Sequence, residues 1–224
     1  MGLILRGYWR SSSTWRVRIA LNWKGLSYET LPVHLVEDGG QQHSAEHRAL
    51  NPMREVPVLM VDGQSLAQSV AILEYLEEAH PEPALLPTDP IDRARVRQLT
   101  EVINAGIQPI QNLRVMQRLG REFAFEKDQQ QAWSGGWIEQ GFQALESLVK
   151  AHGGRYSVGD EVSFADLCLV PQLYNARRFD VDLGAYPTLR AIEHRLNELP
   201  AFAHAHPDQQ PDAPVALTPC SQAI

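Results

Sequence analysis

The sequence predicts an α/β N-terminal domain followed by an all-α C-terminal domain, and three observations predict it. Over roughly the first eighty residues, short apolar runs of strand type alternate with stretches of helical periodicity. Four prolines, Pro81, Pro83, Pro87 and Pro90, then interrupt the chain. Beyond them the apolar residues recur only at helical spacing. These boundaries divide the chain into an α/β unit over 1–82, a linker over 83–90, a helical unit over 91–210 and a flexible tail over 211–224.

Leu3 to Leu5 is a short apolar run that reads as a strand. Ser11, Ser12, Ser13 and Thr14 are helix-capping types, and Val17, Ile19, Ala20, Leu21 and Trp23 follow at helical spacing until Gly25 ends the helix. Tyr28–Val33 reads as a second strand, 34–42 as a loop and 44–50 as a short helix. Val56–Val61 reads as a third strand, and Asp62-Gly63 is a hairpin turn leading to a return strand that begins at Leu66-Ala67. Ser69 then caps a helix carrying Val70, Ile72, Leu73, Tyr75 and Leu76. In the second unit, one long helix is expected from Ile91 to about Gly120. A second runs over 129–152 and stops at Gly153-Gly154. A third is opened by a Ser163–Asp166 capping box, and a fourth covers 187–199. The segment from Pro207 onward has no pattern and is expected to be partly disordered.

The 224 residues are 44% hydrophobic and 21% charged, an ordinary globular balance. A net charge of −7 disfavours nucleic acid and anionic membrane surfaces as partners. No run of eighteen apolar residues is present, so no membrane span is expected, and MGLILRGYWR has too short an apolar run for a signal peptide. The two cysteines, Cys168 and Cys220, are not in a CxxC pair. Neither a disulfide framework nor a metal site is expected, and a reducing cytoplasm fits.

Several segments together resemble one family. SSSTWRVRIAL, from Ser11 to Leu21, resembles the SSCSWRVRIAL signature of zeta-class glutathione transferases, the maleylacetoacetate isomerase family. ALNPMREVPVL (49–59), Gln68-Ser69, GIQPIQNL (106–113), VGDEVSFADLCLVPQ (158–172) and ARRFDVDL with its following YPT fit the same family in order. The resemblance runs from about 3 to 212. It implies a thioredoxin-like first domain, a helical second domain, glutathione as co-substrate and a homodimer.

The resemblance also assigns roles. Ser11 becomes the serine that donates a hydrogen bond to the glutathione thiolate, with Ser12 and Ser13 beside it in the catalytic set. Spacing alone reads the same serines as helix caps. A hydroxyl donor and a helix N-terminus both favour the charged sulfur. Val56 is implied to pair its backbone with the cysteinyl part of glutathione, with Pro57 in the cis form, although trans is the default. Gln68 and Ser69 are implied to take the γ-glutamyl carboxylate, where the alternative for Ser69 is an ordinary N-cap. Gln42 matches a position at the glycyl end. Gln108 and Asn112, expected on one helix face, match positions near the site that are supplied across the dimer. Arg10 and Arg178 are implied to grip the two carboxylates of a small diacid; read alone, each is a surface charge. Arg16 and Arg18 are expected to be ion-paired or at the domain interface. Cys168 is expected in the core, and Trp133 and Trp137 are read as helix packing.

Ser13 stands where the family signature has Cys. A serine forms no mixed disulfide, which argues against thiol-oxidoreductase chemistry. The expected activity is glutathione-dependent cis–trans isomerisation of maleylacetoacetate. The alternatives are maleylpyruvate isomerisation, conjugation or dehalogenation of small haloacids, and a non-catalytic binding protein of the same fold.

Overall fold

A computed structural model describes residues 2–214. The first domain is built on a four-stranded sheet of order β2-β1-β3-β4. Strands β1 (Leu3–Gly7) and β2 (Tyr28–Pro32) are parallel, whereas β3 (Val58–Val61) runs antiparallel to β1 and to β4 (Gln64–Ala67). The parallel pair needs a crossover, which helix α1 (Ser12–Trp23) supplies. The hairpin between β3 and β4 turns at Asp62 and Gly63, whose φ values of 50° and 82° are those of a tight mirror-image turn. Helix α2 (Ala45–Leu50) carries the Glu46 that pairs with Arg6 of β1 at 2.7 Å, and α3 (Ser69–Ala79) packs against α1. Leu5, Val17, Leu59, Ile72 and Leu73 lie fully buried in the shared core.

The linker is not free chain. The buried Lys24 ammonium contacts the Glu77 carboxylate at 2.8 Å and donates to the His80 and Pro83 carbonyls. Glu77 in turn accepts the Leu85 and Leu86 N–H groups. The chain leaving α3 is therefore tied along its length to one buried ion pair.

The second domain holds α4 (Pro90–Glu101), α5 (Leu113–Phe123), α6 (Lys127–His152), α7 (Phe164–Arg178), α8 (Pro187–Asn197) and α9 (Pro200–Ala205). The single long helix expected from 91 to about 120 is broken in two. After α4 the chain widens into a π-helical segment, Val102–Ile107, and α5 restarts at an Asn112 N-cap. The physical reason is Pro109, which lacks an N–H and cannot continue a regular ladder. The apolar spacing on either side masks this break. The expected capping box forms: the Asp166 carboxylate accepts from Ser163 N at 2.8 Å, Ser163 Oγ at 3.1 Å and Ser157 N at 3.0 Å. Trp133 and Trp137 pack against each other, as read.

Helix α1 is the shared wall of the two domains, packing against α7 and α9. Trp15 sits edge-on to Tyr174 and His206. Arg16 and Arg18 are buried at this interface with no carboxylate in contact among the described residues; they hydrogen-bond to neutral oxygens. Residue 212, within the expected flexible tail, is held against the first domain, where Asp212 Oδ2 accepts the Trp9 N–H at 2.9 Å. Residues 215–224, including Cys220, lie outside the described residues. Among the described residues, no helix is long and apolar enough to cross a membrane.

Candidate active site

A cleft of about 500 Å³ opens between the domains, with Ser11, Ser13, Val56, Pro57, Gln68 and Ser69 on one side and Asn104, Gln108 and Asn112 on the other. Ser11 is the N-cap of α1, and its Oγ accepts the Thr14 N–H at 3.2 Å. Capping uses a lone pair and leaves the hydroxyl hydrogen available to a ligand in the cleft. The capping and thiolate-binding readings of Ser11 are thus compatible. Ser12 is different: it is buried in the first turn and does not line the cleft. Successive helix residues are rotated by roughly 100°, so Ser13 can reach the cleft wall while Ser12 cannot. Of the three serines expected together from the sequence, Ser11 and Ser13 line the cleft and Ser12 does not.

The Val56-Pro57 peptide is cis. The β3 ladder begins at Val58, so Val56 lies beyond its hydrogen-bonded rungs while lining the cleft. Gln68, not Ser69, occupies the N-cap position of α3, with a left-handed backbone at φ 71°. Its carbonyl accepts the first helical bond, from Ile72 N at 3.0 Å. Ser69 is the first helical residue, so its N–H is among those a helix leaves unpaired at its start. Those groups and the positive end of α3 suit a carboxylate.

Gln42 is buried, and its Nε2 donates to the Leu35 carbonyl at 3.2 Å. Its Oε1 is a buried acceptor with no protein donor among the described residues, at the wall of the cleft. A peptide N–H of a ligand would satisfy it. The loop needs Gly40 to hold this side chain: φ is 99°, and a Cβ there would meet Gln42 Nε2 at 2.5 Å. Gln108 and Asn112 both line the cleft, but from the turn between the π-helical segment and α5 rather than from one helix face. The Asn112 side chain is engaged in capping, accepting from Arg114 N at 3.3 Å.

Arg10 and Arg178 do not line this cleft. The Arg10 guanidinium lies 5.2 Å from the centre of the Trp9 ring. Arg178 donates to Asn175 Oδ1 at 3.3 Å. Burial, and then the nearby charge of Arg10, pull the Arg178 pKa below its ordinary value. Tyr174 and Tyr8 act on Arg178 in the opposite direction.

Three residues at the site were not expected. Asn104 accepts from Arg16 Nη1 at 2.8 Å, and the same nitrogen donates to Ser69 Oγ at 3.1 Å. Glu55 pairs with Arg114 of α5 at 2.8 Å across the cleft and accepts from Gln68 Nε2 at 3.3 Å. The adjacency of Glu55 to Val56 and the placement of Arg114 two residues after Asn112 were the local signals for these. Among the described residues, no group of His, Cys, Asp and Glu side chains is arranged to hold a metal ion.

Comparison with known proteins bears on this geometry. Residues 5–84 match the N-terminal domain of the glutathione S-transferase family, and residues 115–204 match its C-terminal domain. Maleylacetoacetate isomerase of Rattus norvegicus is 51% identical over 214 residues, 96% of each chain. A solved bacterial maleyl pyruvate isomerase, described as a zeta-class glutathione S-transferase, superposes with a TM-score of 0.91 at 45% identity, covering 94% of this chain and all of that one. The chain belongs to the zeta-class glutathione S-transferase family. A third relative, maleylacetoacetate isomerase of Anaeromyxobacter dehalogenans, was solved with glutathione in its active site; it is 51% identical, with a TM-score of 0.85, over 95% of this chain and 98% of that one.

As a zeta-class transferase, the chain has the predicted α/β-plus-helical fold. Its Ser13 occupies the cleft wall at the position of the signature cysteine. Cys168 offers no substitute thiol, because it is buried in α7 and burial pushes its pKa up.

Proposed function

We propose that this zeta-class transferase is a glutathione-dependent cis–trans isomerase of a small unsaturated diketo diacid, maleylacetoacetate. The division into a glutathione-binding unit over 1–82, a linker over 83–90 and a substrate-binding unit over 91–210 belongs to the same reading. The observation that carries it is the convergence on one cleft of the Ser11 hydroxyl, the Val56-Pro57 step, the N-terminus of α3 and the Gln42 Oε1 that has no donor among the described residues. This is a donor and acceptor set suited to an extended γ-glutamyl peptide with a thiol. The glutathione-bound relative supports it.

Bound glutathione would supply a thiolate that adds reversibly to the cis double bond, allowing rotation before elimination. Ser11 would hold that sulfur in its charged form with one donated hydrogen bond. Ser69 and the α3 N-terminus, backed by Arg16, would take the γ-glutamyl carboxylate. Gln42 would hold the glycyl end, and Val56 would bind the cysteinyl backbone by strand-like pairing. Gln108 and Asn112 would close the opposite wall. Arg10 and Arg178 would orient the diacid and stabilise negative charge delocalised into its ketone.

A homodimer in the cytoplasm completes the proposal. Met53, more than half exposed at the cleft rim, is an apolar surface that a second copy would cover. Sedimentation at working concentration tests the dimer.

A second reading keeps the site and changes the substrate to maleylpyruvate. The 0.91 superposition with a maleyl pyruvate isomerase favours it. One assay separates them: ultraviolet loss of each diacid with and without glutathione, with the trans product confirmed. Rapid glutathione-dependent loss of one ranks the two. No loss of either, with glutathione still bound, overturns both.

A further inference from the structure

The turn that carries Arg10 is clamped from two sides. On one side, the buried Arg18 guanidinium donates to the Trp9 carbonyl at 2.8 Å and to the Tyr8 carbonyl at 3.4 Å. On the other, the Asp212 carboxylate accepts the Trp9 N–H at 2.9 Å. Both backbone polar groups of Trp9 are therefore engaged, and the Arg10 guanidinium rests over the Trp9 ring. Asp212 is itself anchored. A turn closes through Ala213 N to Gln210 O at 3.0 Å, and Gln210 Nε2 donates to the His204 and His206 carbonyls at 3.0 and 2.9 Å. Arg18 also donates to the Ala205 carbonyl at 3.1 Å, which joins the two clamps through the end of α9. Burial lowers the Arg18 pKa to about 10, while Tyr28 and then the Asp212 carboxylate act in the opposite direction.

We infer that Asp212 is a positioning residue for the diacid, holding the Trp9-Arg10 stack in place at the turn before Ser11. The inference rests on the reading that these two arginines grip the substrate carboxylates. It assigns the segment after α9 a role in substrate selection, which neither the glutathione side of the cleft nor the family match supplies. Among the described residues, the Asp212 carboxylate is the acceptor of the Trp9 N–H. Without the acceptor, the Trp9 peptide can rotate and carry the Arg10 stem with it.

The experiment uses the full chain loaded with glutathione. Calorimetry measures malonate, a stable small diacid, against wild type, D212A, D212N and R10A, and separately measures glutathione affinity for each. Turnover of the diacid gives kcat and KM. The expected result for D212A is a malonate Kd and a substrate KM each raised about tenfold, with kcat within twofold and glutathione affinity unchanged. D212N, whose amide oxygen can still accept the Trp9 N–H, restores most of the affinity. Malonate affinity and KM within twofold of wild type in D212A overturn the inference. So does an equal loss of glutathione and malonate affinity, which is loosening of the whole cleft. Should D212A not fold, D212E, with the carboxylate displaced by one methylene, carries the same two outcomes. R10A separates the levels: unchanged malonate affinity there defeats the two-arginine reading itself, whereas weakening in R10A but not D212A defeats only the role of Asp212.

Discussion

Arg16, fully buried in α1, donates from one guanidinium nitrogen both to Ser69 Oγ at 3.1 Å and to Asn104 Oδ1 at 2.8 Å. Its Nε and Nη2 have no protein acceptor among the described residues. A buried cation without a carboxylate in contact destabilises the fold on its own. It becomes useful when an anion binds next to Ser69. Replacing Arg16 by Met is therefore expected to weaken glutathione binding at least tenfold, or about 1.4 kcal/mol, while leaving the unfolding midpoint unchanged or raised. Calorimetry and denaturant titration of the same sample check the two parts. A fall in stability with glutathione affinity intact would show that Arg16 serves only the domain interface.

Ser11 performs two tasks that can be measured apart. Ser11→Ala removes the cap on α1, which costs on the order of 1 kcal/mol in unfolding free energy. It also removes the proposed donor to the sulfur, so glutathione-dependent turnover should fall on the order of 10²-fold. Because the donor favours the thiolate, its loss raises the pKa of the bound thiol, and the residual activity should increase with pH beyond the wild-type plateau. Undiminished turnover at neutral pH would remove Ser11 from the mechanism.

The ion pair under the linker sets a stability test unrelated to the cleft. Lys24 has a fully buried side chain, and Glu77 is its partner and the acceptor for two linker N–H groups. Truncating Glu77 to Ala leaves a buried ammonium unpaired and frees both N–H groups. The expected loss is about 3–5 kcal/mol in chemical denaturation. A loss below about 1 kcal/mol would mean that the linker repacks around Lys24.

Glu146 gives the pH dependence. Its carboxylate accepts the Thr188 and Leu189 N–H groups at 3.0 and 3.1 Å and pairs with Lys150 at 3.1 Å, capping the start of α8. Burial works to raise its pKa, but the bonds from Thr188, Leu189 and Lys150 outweigh burial and leave it lowered. A carboxylate with a lowered folded-state pKa stabilises the fold above the unfolded value, about 4.3, and loses that contribution as the pH falls through the folded one. The stability difference between wild type and Glu146→Gln should be full at pH 7 and shrink below about pH 4.3. A difference that does not vary with pH would assign the effect to packing.

Much of the fold was legible in the sequence because its signals are local. The Ser163–Asp166 box, the Asp62-Gly63 turn and the Gly25 stop each act within a few residues, and each forms as read. The long helix was misread for a related reason. Helical apolar spacing persists across 102–112, so periodicity does not register the widened turn before Pro109. Ser69 was expected as the cap of α3, but a Gln in left-handed conformation took that position, which side-chain preference does not anticipate.

The two-domain order, the serine at the start of α1, the Val-Pro step before β3 and the family to which these motifs point are local features of residue order. Which of those groups share a cleft depends on the folded assembly. It turned Ser12 inward, set Arg16 behind Ser69 across 53 positions and brought Asp212 to the Trp9 N–H across 203. Caps and turns are set by bonds within a few residues. These long-range contacts depend on how α1 packs between the sheet and α7 and α9, which is a property of the assembled core.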